Sequence, residues 1–310
     1  MDRAAAGGLL VMDKPAGMTS REALDAVARP LKKAKHKVGH CGTLDPLATG
    51  VLVVAVGPAT RLVEYVQRMG KTYRALLRLG AVSDTLDADG RVVERPGAAD
   101  PGLDAVKLAA GAQVGGFDQM PPAYSARKVD GRRAYDLARQ GAEVALQASA
   151  VTIDRVEILA YDWPMLDLEI DCGGGTYIRS VARDIGEALG VGGLIQTLRR
   201  TRIGGFGLEG ALDPRTLDPE SIPRLLRPMA LAVEDLPRAT LDAEQLARVA
   251  RGMGLDPSRL GLDRSHGEVA LFGPDGTLAA VAEIIDGEIR PRRVLVRVSS
   301  NPGGPAAELS

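Results

Sequence analysis

The junction at residues 39–56 constrains the fold of this chain more than any other stretch. A turn-rich polar segment, with glycines at 39, 42 and 50, runs directly into the apolar, β-branched run from Val51 to Val56. Six such residues in a row, bounded by turn formers, read as a buried strand. One carboxylate, Asp45, stands just before it. Pro46 pushes Asp45 toward an extended backbone and brings no N–H of its own. The acid is therefore held in a fixed pose at the mouth of an apolar strand, where a solvating carboxylate has little reason to be. An Asx-type turn is the plain alternative. His40, the glycines and Thr43 crowd so many unusual choices around Asp45 that chemistry is the better reading.

The other elements follow in order. Residues 8–14 read as a strand. A helix then starts at Ser20 as N-cap and carries Ala23, Leu24, Val27 and Leu31 on one side. Residues 71–80 alternate as a strand with Tyr73 near its start. Residues 101–116 read as a helix of small residues. Two strands follow, at 151–159 and at 165–172, the second alternating Leu166, Leu168, Ile170 and Cys172 against acids. The next segment, Gly173-Gly174-Gly175-Thr176-Tyr177-Ile178-Arg179, leads into a helix with Thr176 as candidate cap and with Ile178, Val181, Ala182, Ile185 and Leu189 inward. Its glycines suit a phosphate cradle, but the Lys-Ser/Thr of a P-loop is missing, which argues against nucleotide hydrolysis. Arg179 falls in the first turn of that helix, where the dipole disfavours a cation. Such a residue calls for an acidic partner, and Asp45 is the one proposed, kept ionised by the guanidinium.

Three segments bear on ligands. Lys32, Lys33, Lys35, His36 and Lys37 abut the Asp45 loop, where lysines suit phosphates. Residues 83–90 hold three carboxylates, Asp84, Asp87 and Asp89, but lack the bidentate Glu that closes a calcium loop, so metal is rejected. Residues 117–136 mix Arg127, Lys128, Arg132 and Arg133 with Tyr124 and Tyr135 among loop formers. That composition fits a grip on folded RNA, with guanidinium on phosphate and ring on base. The formal net charge of −1 and sequence pI of about 6.4 argue against a non-specific polyanion binder, so any such grip is local. Two cysteines, Cys41 and Cys172, supply neither a disulfide framework nor zinc spacing. No leader or membrane-length apolar run is read, which makes a reduced, cytoplasmic protein the expectation.

Residues 39–52 resemble the loop G-H-x-G-T-L-D-P-x-A-T-G-V-L of bacterial tRNA pseudouridine synthases of the TruB type. Further similar segments lie in the expected order over residues 8–235. They are the Asp13-Lys14-Pro15 turn, Lys71-x-Tyr73, Gln119-x-Pro121-Pro122-x-Tyr124-Ser125-Ala126, Gly175-x-Tyr177-Ile178-Arg179 and the strand Leu198-x-Arg200. The resemblance implies Asp45 as the catalytic carboxylate, with Tyr73 and Arg179 beside it. It places His40, Lys14, Asp87, Tyr177 and Leu198 at the substrate. It makes 117–150 an RNA-clasping insertion, although residues 143–150 lack the arginines that pattern leads one to expect. Lys32, Lys33, Lys35, Lys37, Arg127, Lys128, Arg132 and Arg133 become backbone contacts. The chemistry implied is isomerisation of uridine 55 in the tRNA T loop after base flipping, needing no cofactor or metal. Asp45 would attack C6 of uracil or C1′ of ribose, and Tyr73 is the candidate to take the C5 proton.

The fold class expected is α+β: a pseudouridine-synthase fold with a mixed, mostly antiparallel sheet flanked by helices. A run of prolines at 214, 219, 223, 228 and 237 sets the boundary of the catalytic domain near residue 235. Beyond it, Asp242 caps a helix with Leu246, Val249 and Met253 inward, and strands follow at 268–272, 278–285 and 294–298. These suit a small β-barrel-like, PUA-type RNA-binding domain over 236–300, with a disordered tail at 301–310. Two other functions remain in view: a tRNA-folding module without catalysis, and a guide-RNA-dependent enzyme on ribosomal RNA with partner proteins. The first has no use for an Asp45–Arg179 pair. The second is disfavoured by the chain's own RNA grip. A monomer acting on the tRNA T arm, with no obligatory protein partner and no membrane, is the expectation.

Overall fold

Strand β3 (Thr49–Val56) forms on the apolar run, and every residue from Gly50 to Val56 is buried. Its alternate side chains enter two different cores. Leu52, Val54 and Val56 join one apolar cluster, and Val51, Val53 and Ala55 join another on the opposite face. A strand sheathed on both sides has no polar face, which is why the run shows no hydrophobic–polar alternation. The computed structural model describes residues 7–31, 36–124, 128–129, 132–133, 147–263, 267–297 and 308–309.

Strand β1 (Gly8–Lys14) pairs antiparallel with β3, from Gly8 opposite Val56 to Lys14 opposite Gly50. The short β2 (Val38–His40) pairs with the same strand. Beyond β3 lie β4 (Lys71–Leu79), β7 (Gly115–Gln119), β10 (Ser149–Asp162), β11 (Met165–Cys172) and β12 (Gly193–Ile203). Among the described residues they form a nine-stranded sheet in the order β1-β3-β12-β4-β11-β10-β7, with β2 and β13 (Phe206–Gly207) off this path. Only the β3–β12 pairing is parallel, at Arg199 opposite Thr49 and Arg200 opposite Gly50. The fold is thus α+β with a mixed, mostly antiparallel sheet.

Three longer helices contribute buried side chains to the larger core. Helix α1 (Ser20–Leu31) buries Ala23, Leu24, Val27 and Leu31. Each large side chain so buried contributes about 1.5–3 kcal/mol. Its cap is Thr19, not Ser20: Thr19 N–H donates to Glu22 Oε2 at 2.8 Å, and Glu22 N–H donates to Thr19 Oγ1 at 3.1 Å. That reciprocal pair leaves Ser20 free to turn inward. Helix α4 (Ile178–Ala188) follows α2 (Val63–Arg68) and α3 (Leu103–Gly111) in the chain. It packs so closely on the start of β12 that a Cβ at Gly186 would lie 2.2 Å from the Gly193 nitrogen. Thr176 does not cap it. The N-cap is Tyr177, and Thr176 Oγ1 donates to Gly173 O at 3.1 Å. The helix expected over 101–116 stops at Gly111, and residues 115–119 form β7 instead, where Gly115 takes a φ of +119°.

The C-terminal residues form a second sheet. Strands β14 (Arg238–Thr240), β15 (Gly267–Phe272), β16 (Leu278–Ile285) and β17 (Glu288–Val294) lie in that order, with β14 parallel to β15 and the rest antiparallel. A closed barrel was expected; among the described residues the sheet stays open, because β14 is three residues long and meets only β15. Asp242 caps α6 (Ala243–Ala250) in a capping box with Gln245, after the short α5 (Ile222–Leu225). The helix buries Val249, but it ends before Met253, which is 44% exposed. β17 was not expected from the sequence: Pro291 and four charged residues disguise it, and Pro is tolerated there because the strand is an edge. Val296–Arg297 then pairs with Glu308–Leu309, while the rest of the tail lies outside the described residues. Ala270, Phe272, Leu278, Val281 and Leu295 belong to the same apolar cluster as Leu9, Val11, Val51 and Val53.

Candidate active site

The Asp45 loop leaves β2 at His40 and enters β3 at Thr49. Side chains from distant parts of the chain tie its backbone down. Ser20 Oγ donates to Leu44 O at 2.9 Å and accepts from Leu44 N–H at 2.7 Å. Lys14 is fully buried, and its Nζ donates to Pro15 O, Met18 O and Pro46 O at 2.9, 2.5 and 3.3 Å. Arg200 Nε donates to Val51 O at 2.8 Å, and its terminal nitrogens reach Gly42 O at 3.2 Å and Thr43 O at 3.5 Å. The loop backbone on both sides of Asp45 is thereby satisfied without helix or sheet bonds.

The Asp45 carboxylate meets Arg179. Arg179 Nε lies 2.9 Å from Oδ2, and Nη2 donates to Oδ1 at 3.1 Å, a forked pair. The guanidinium is only 6% exposed, whereas the Asp45 side chain is 37% exposed. Arg179 also donates to Thr85 O at 2.8 Å and Tyr124 O at 2.9 Å, and its Nη1 is 3.7 Å from Asp87 Oδ2. Asp87 in turn accepts from Thr85 Oγ1 at 2.5 Å and from Asp89 N–H at 3.2 Å. Burial holds the Asp87 carboxyl above its ordinary range, against the pull of Thr85 and Arg179.

The start of α4 is pinned by Gln119, which is 2% exposed. Its Oε1 accepts from Tyr177 N–H at 2.8 Å and its Nε2 donates to Tyr177 O at 3.2 Å. Ser180 Oγ and Arg183 Nη2 both donate to Met120 O, at 2.8 and 3.1 Å. The segment leading into the 125–146 stretch is thus bonded to the same helix that carries Arg179.

Asp45, Tyr73, Tyr177, Arg179 and Leu198 line one cavity of about 330 Å³, with Thr43, Gln67, Lys71 and Arg200. The structure therefore brings five of the sequence-derived site residues to one place. Asp87 stands behind Arg179, and Lys14 lies beneath the loop, so neither is among the lining residues. His40 sits half-buried on β2, also outside the lining. Lys37 is exposed just before β2. Lys128–Val129 and Arg132–Arg133 pair as two short strands, β8 and β9. Lys32, Lys33, Lys35 and Arg127 lie outside the described residues.

Sequence reading missed Ser20, Lys71, Gln119 and Arg200 as site residues. For Arg200 a signal existed. It lies two residues beyond Leu198 on β12, on the same face by strand parity, so a cation was placed where an apolar residue belongs.

Burial pushes the Tyr73 phenol upward, with Arg200 pulling it back in part. At neutral pH the ring is therefore a protonated phenol. Burial drives Lys71 and Lys14 the other way, from an ordinary 10.5 to about 8. Lys71 Nζ is held by Gln67 O at 2.9 Å and Met69 O at 2.8 Å. The arrangement offers an oriented carboxylate in a cavity of mixed polar and apolar lining that also holds the buried cations Lys71, Arg179 and Arg200. An aimed carboxylate of this kind can act at an electrophilic carbon of a ligand in the cavity. Among the described residues no cluster of His, Cys, Asp or Glu suits a metal ion.

Comparison with known proteins agrees with the geometry. Residues 29–178 match the TruB family pseudouridylate synthase N-terminal domain, and residues 179–234 match the tRNA pseudouridylate synthase B C-terminal domain. The chain is 43% identical over 295 residues to the tRNA pseudouridine synthase B of Mycobacterium sp. (strain KMS), covering 94% of this chain and 96% of that one. It is 39% identical over 308 residues to that of Syntrophotalea carbinolica, covering 96% and 99%. Among solved structures, a Cbf5–Nop10–Gar1 complex superposes with a TM-score of 0.70 at 26% identity, over 99% of this chain and 85% of that one. An H/ACA RNP bound to a substrate RNA containing 2′-deoxyuridine gives 0.70 at 25% identity, over 94% and 86%.

Proposed function

The chain belongs to the TruB family of tRNA pseudouridine synthases, and from that premise we propose how its own residues carry the reaction. The enzyme is an isomerase that converts uridine 55 of the tRNA T loop to pseudouridine. The observation that carries the assignment of residues is the forked Arg179–Asp45 pair at the wall of the cavity. Arg179 holds the carboxylate aimed, so its reorganisation does not add to the barrier. The target uridine leaves the stacked loop, at a cost of a few kcal/mol, and enters the cavity. Tyr73 and Leu198 bound the base, and Tyr177 stands at the rim beside Gly175 and Thr176. Asp45 attacks as nucleophile, on C6 of the base or on C1′ of the ribose. The N1–C1′ bond breaks, the uracil turns, C5 bonds to C1′, and the bond from Asp45 to C6 or C1′ breaks, which returns the free carboxylate. C5 loses a proton and N1 gains one, so no oxidant, nucleotide or metal enters the balance.

The protonated state of Tyr73 bears on its assignment. As a buried neutral phenol it serves as a packing wall, and its proton must move first if it is to receive the one from C5. Asp87 acts through Arg179, and Lys14 through the Pro46 backbone. Both are positioning residues in this scheme. Lys37, with Lys32, Lys33, Lys35, Arg127, Lys128, Arg132 and Arg133, is assigned to the RNA backbone, and His40 to the rim of the stacked loop. The division proposed is a catalytic unit over 1–235 and an RNA-contacting, PUA-like unit over 236–300. The protein is taken to act as a cytoplasmic monomer on tRNA alone.

A guide-RNA-dependent reading is disfavoured by the comparisons: tRNA enzymes match at about 40% identity along nearly the whole chain, the H/ACA proteins at 25–26%. The test is Asp45→Asn with a T-arm stem-loop and no added protein. Complete loss of pseudouridine with retained RNA binding is expected. Product at the wild-type rate overturns the assignment, and activity that appears only with added guide RNA or proteins favours the second reading.

A further inference from the structure

Among the described residues, Arg200 is the bulkiest of the fully buried side chains, at 2% exposed. Its neighbours in kind each pair with a carboxylate: Arg179 with Asp45, Arg199 with Asp13, Arg202 with Asp171. The hydrogen bonds of Arg200 go instead to main-chain carbonyls, those of Gly42, Thr43 and Val51, and to the Tyr73 phenol. Burying a guanidinium away from any carboxylate is unfavourable unless its donors are satisfied. A fold that carries one has a use for its shape. The planar fork offers five N–H groups in fixed directions, which lets one side chain hold carbonyls from separate segments at once.

The placement of those carbonyls shows the use. Gly42 and Thr43 lie before Asp45, and Val51 lies after it. Gly42 and Gly50 have φ of +122° and +101°, conformations that glycine adopts without strain at both ends of the loop. Gly50 also passes so near β12 that a Cβ there would sit 2.2 Å from Arg200 O. The Arg200 main chain therefore packs against Gly50 while its side chain bonds to Gly42 O. Lys14 and Ser20 hold the middle of the loop, at Pro46 and Leu44. Arg179 fixes the carboxylate but not the backbone that bears it.

We propose that Arg200 is a positioning residue for the reaction: by clamping both ends of the 42–51 loop it sets where Asp45 stands relative to the nucleotide in the cavity. This rests on Asp45 being the nucleophile. Arg200 also lines the cavity, so the clamp and the reacting space share a wall. A nucleophile misplaced by about 1 Å loses on the order of 100-fold in rate, while contacts to the RNA backbone are unchanged.

The experiment uses full-length Arg200→Lys and Arg200→Gln beside Asp45→Asn. It measures single-turnover pseudouridine formation and the Kd for a T-arm stem-loop. Both Arg200 variants are expected to slow the chemical step by about 10- to 100-fold while Kd moves by less than about threefold. Arg200→Lys keeps the charge and loses the fork, so it decides the matter if Arg200→Gln does not fold. A wild-type rate in Arg200→Lys, or a loss taken equally in Kd, overturns the proposal. An active Asp45→Asn is a separate failure, that of the nucleophile assignment itself.

Discussion

Arg179 is almost wholly buried and Asp45 is not, although their side chains are joined by two contacts at 2.9 and 3.1 Å. The asymmetry has a direction. The cation is locked by Thr85 O, Tyr124 O and Asp87 behind it, and the anion is presented forward into the cavity. Arg179 thus belongs to the scaffold, and Asp45 faces the cavity.

Replacing Arg179 should accordingly damage both activity and fold. Arg179→Met leaves the buried Asp87 carboxyl without its cation and is expected to lower stability by about 3 kcal/mol and the rate by more than about 100-fold. Arg179→Lys should restore more of the stability than of the rate, because it keeps the charge and loses the fork. Urea denaturation and single-turnover assays on both variants check this.

Ser20→Ala removes one hydroxyl and leaves both the N–H and the C=O of Leu44 without their partner. Unsatisfied buried groups cost about 1–3 kcal/mol each, so a loss of about 2 kcal/mol is expected after relaxation. The rate should fall with it, since Leu44 adjoins Asp45, and RNA affinity should not. Thr19→Ala, at the true cap, should lower stability by about 1 kcal/mol and leave the rate near wild type.

Alkaline pH should first stabilise the protein. Lys14 and Lys71 are at about 8 when folded and 10.5 ordinarily, so the unfolded chain binds more protons from pH 8 upward, and stability rises with pH. Cys41 and Cys172 work in the opposite sense. Burial raises them from 9.0 to about 12 and about 11, so above pH 9 the unfolded chain loses protons that the folded chain keeps. The expected profile rises between pH 8 and 9 and then flattens. Urea midpoints from pH 7.5 to 10.5 measure it, and Lys71→Met should shrink the rise.

Two glycines with positive φ should respond differently to alanine. Gly190 has a φ of +72° and nothing within 4 Å of a new Cβ, so Gly190→Ala should cost about 1 kcal/mol. Gly50, at +101°, meets Arg200 O at 2.2 Å, so Gly50→Ala should cost about 3 kcal/mol or more and yield little soluble protein. Thermal melts of the two variants make the comparison.

What the sequence made legible was local. The apolar run of β3, the alternation of β11 and the inward stripe of α4 each announce themselves by period. The nearness of Asp45 and Arg179 could be argued from the discomfort of a cation in a first helical turn. Ser20 was legible as a helix start, but the competition between it and Thr19 was settled by Leu44, which lies 24 residues away. Gln119 was opaque for the same reason: its partners are backbone atoms of a distant segment, which leave no mark in a sequence, and Arg200 showed only as a cation on an apolar face, its backbone partners equally unmarked. β17 was hidden by Pro291 and its arginines, which only an edge position explains. The open C-terminal sheet was misjudged because strand count does not reveal whether the first and last strands meet.

The apolar cluster shared by the two sheets has a mechanical outcome. Leu9, Val11, Val51 and Val53 are kept dry in part by Phe272, Leu278, Val281 and Leu295, so the C-terminal unit is the rear wall of the catalytic sheet rather than a pendant attached to it. A chain stopped at residue 235 would wet the back of β3, whose first residue stands four positions after Asp45. Truncation there should therefore read out as a catalytic defect as well as an insoluble protein.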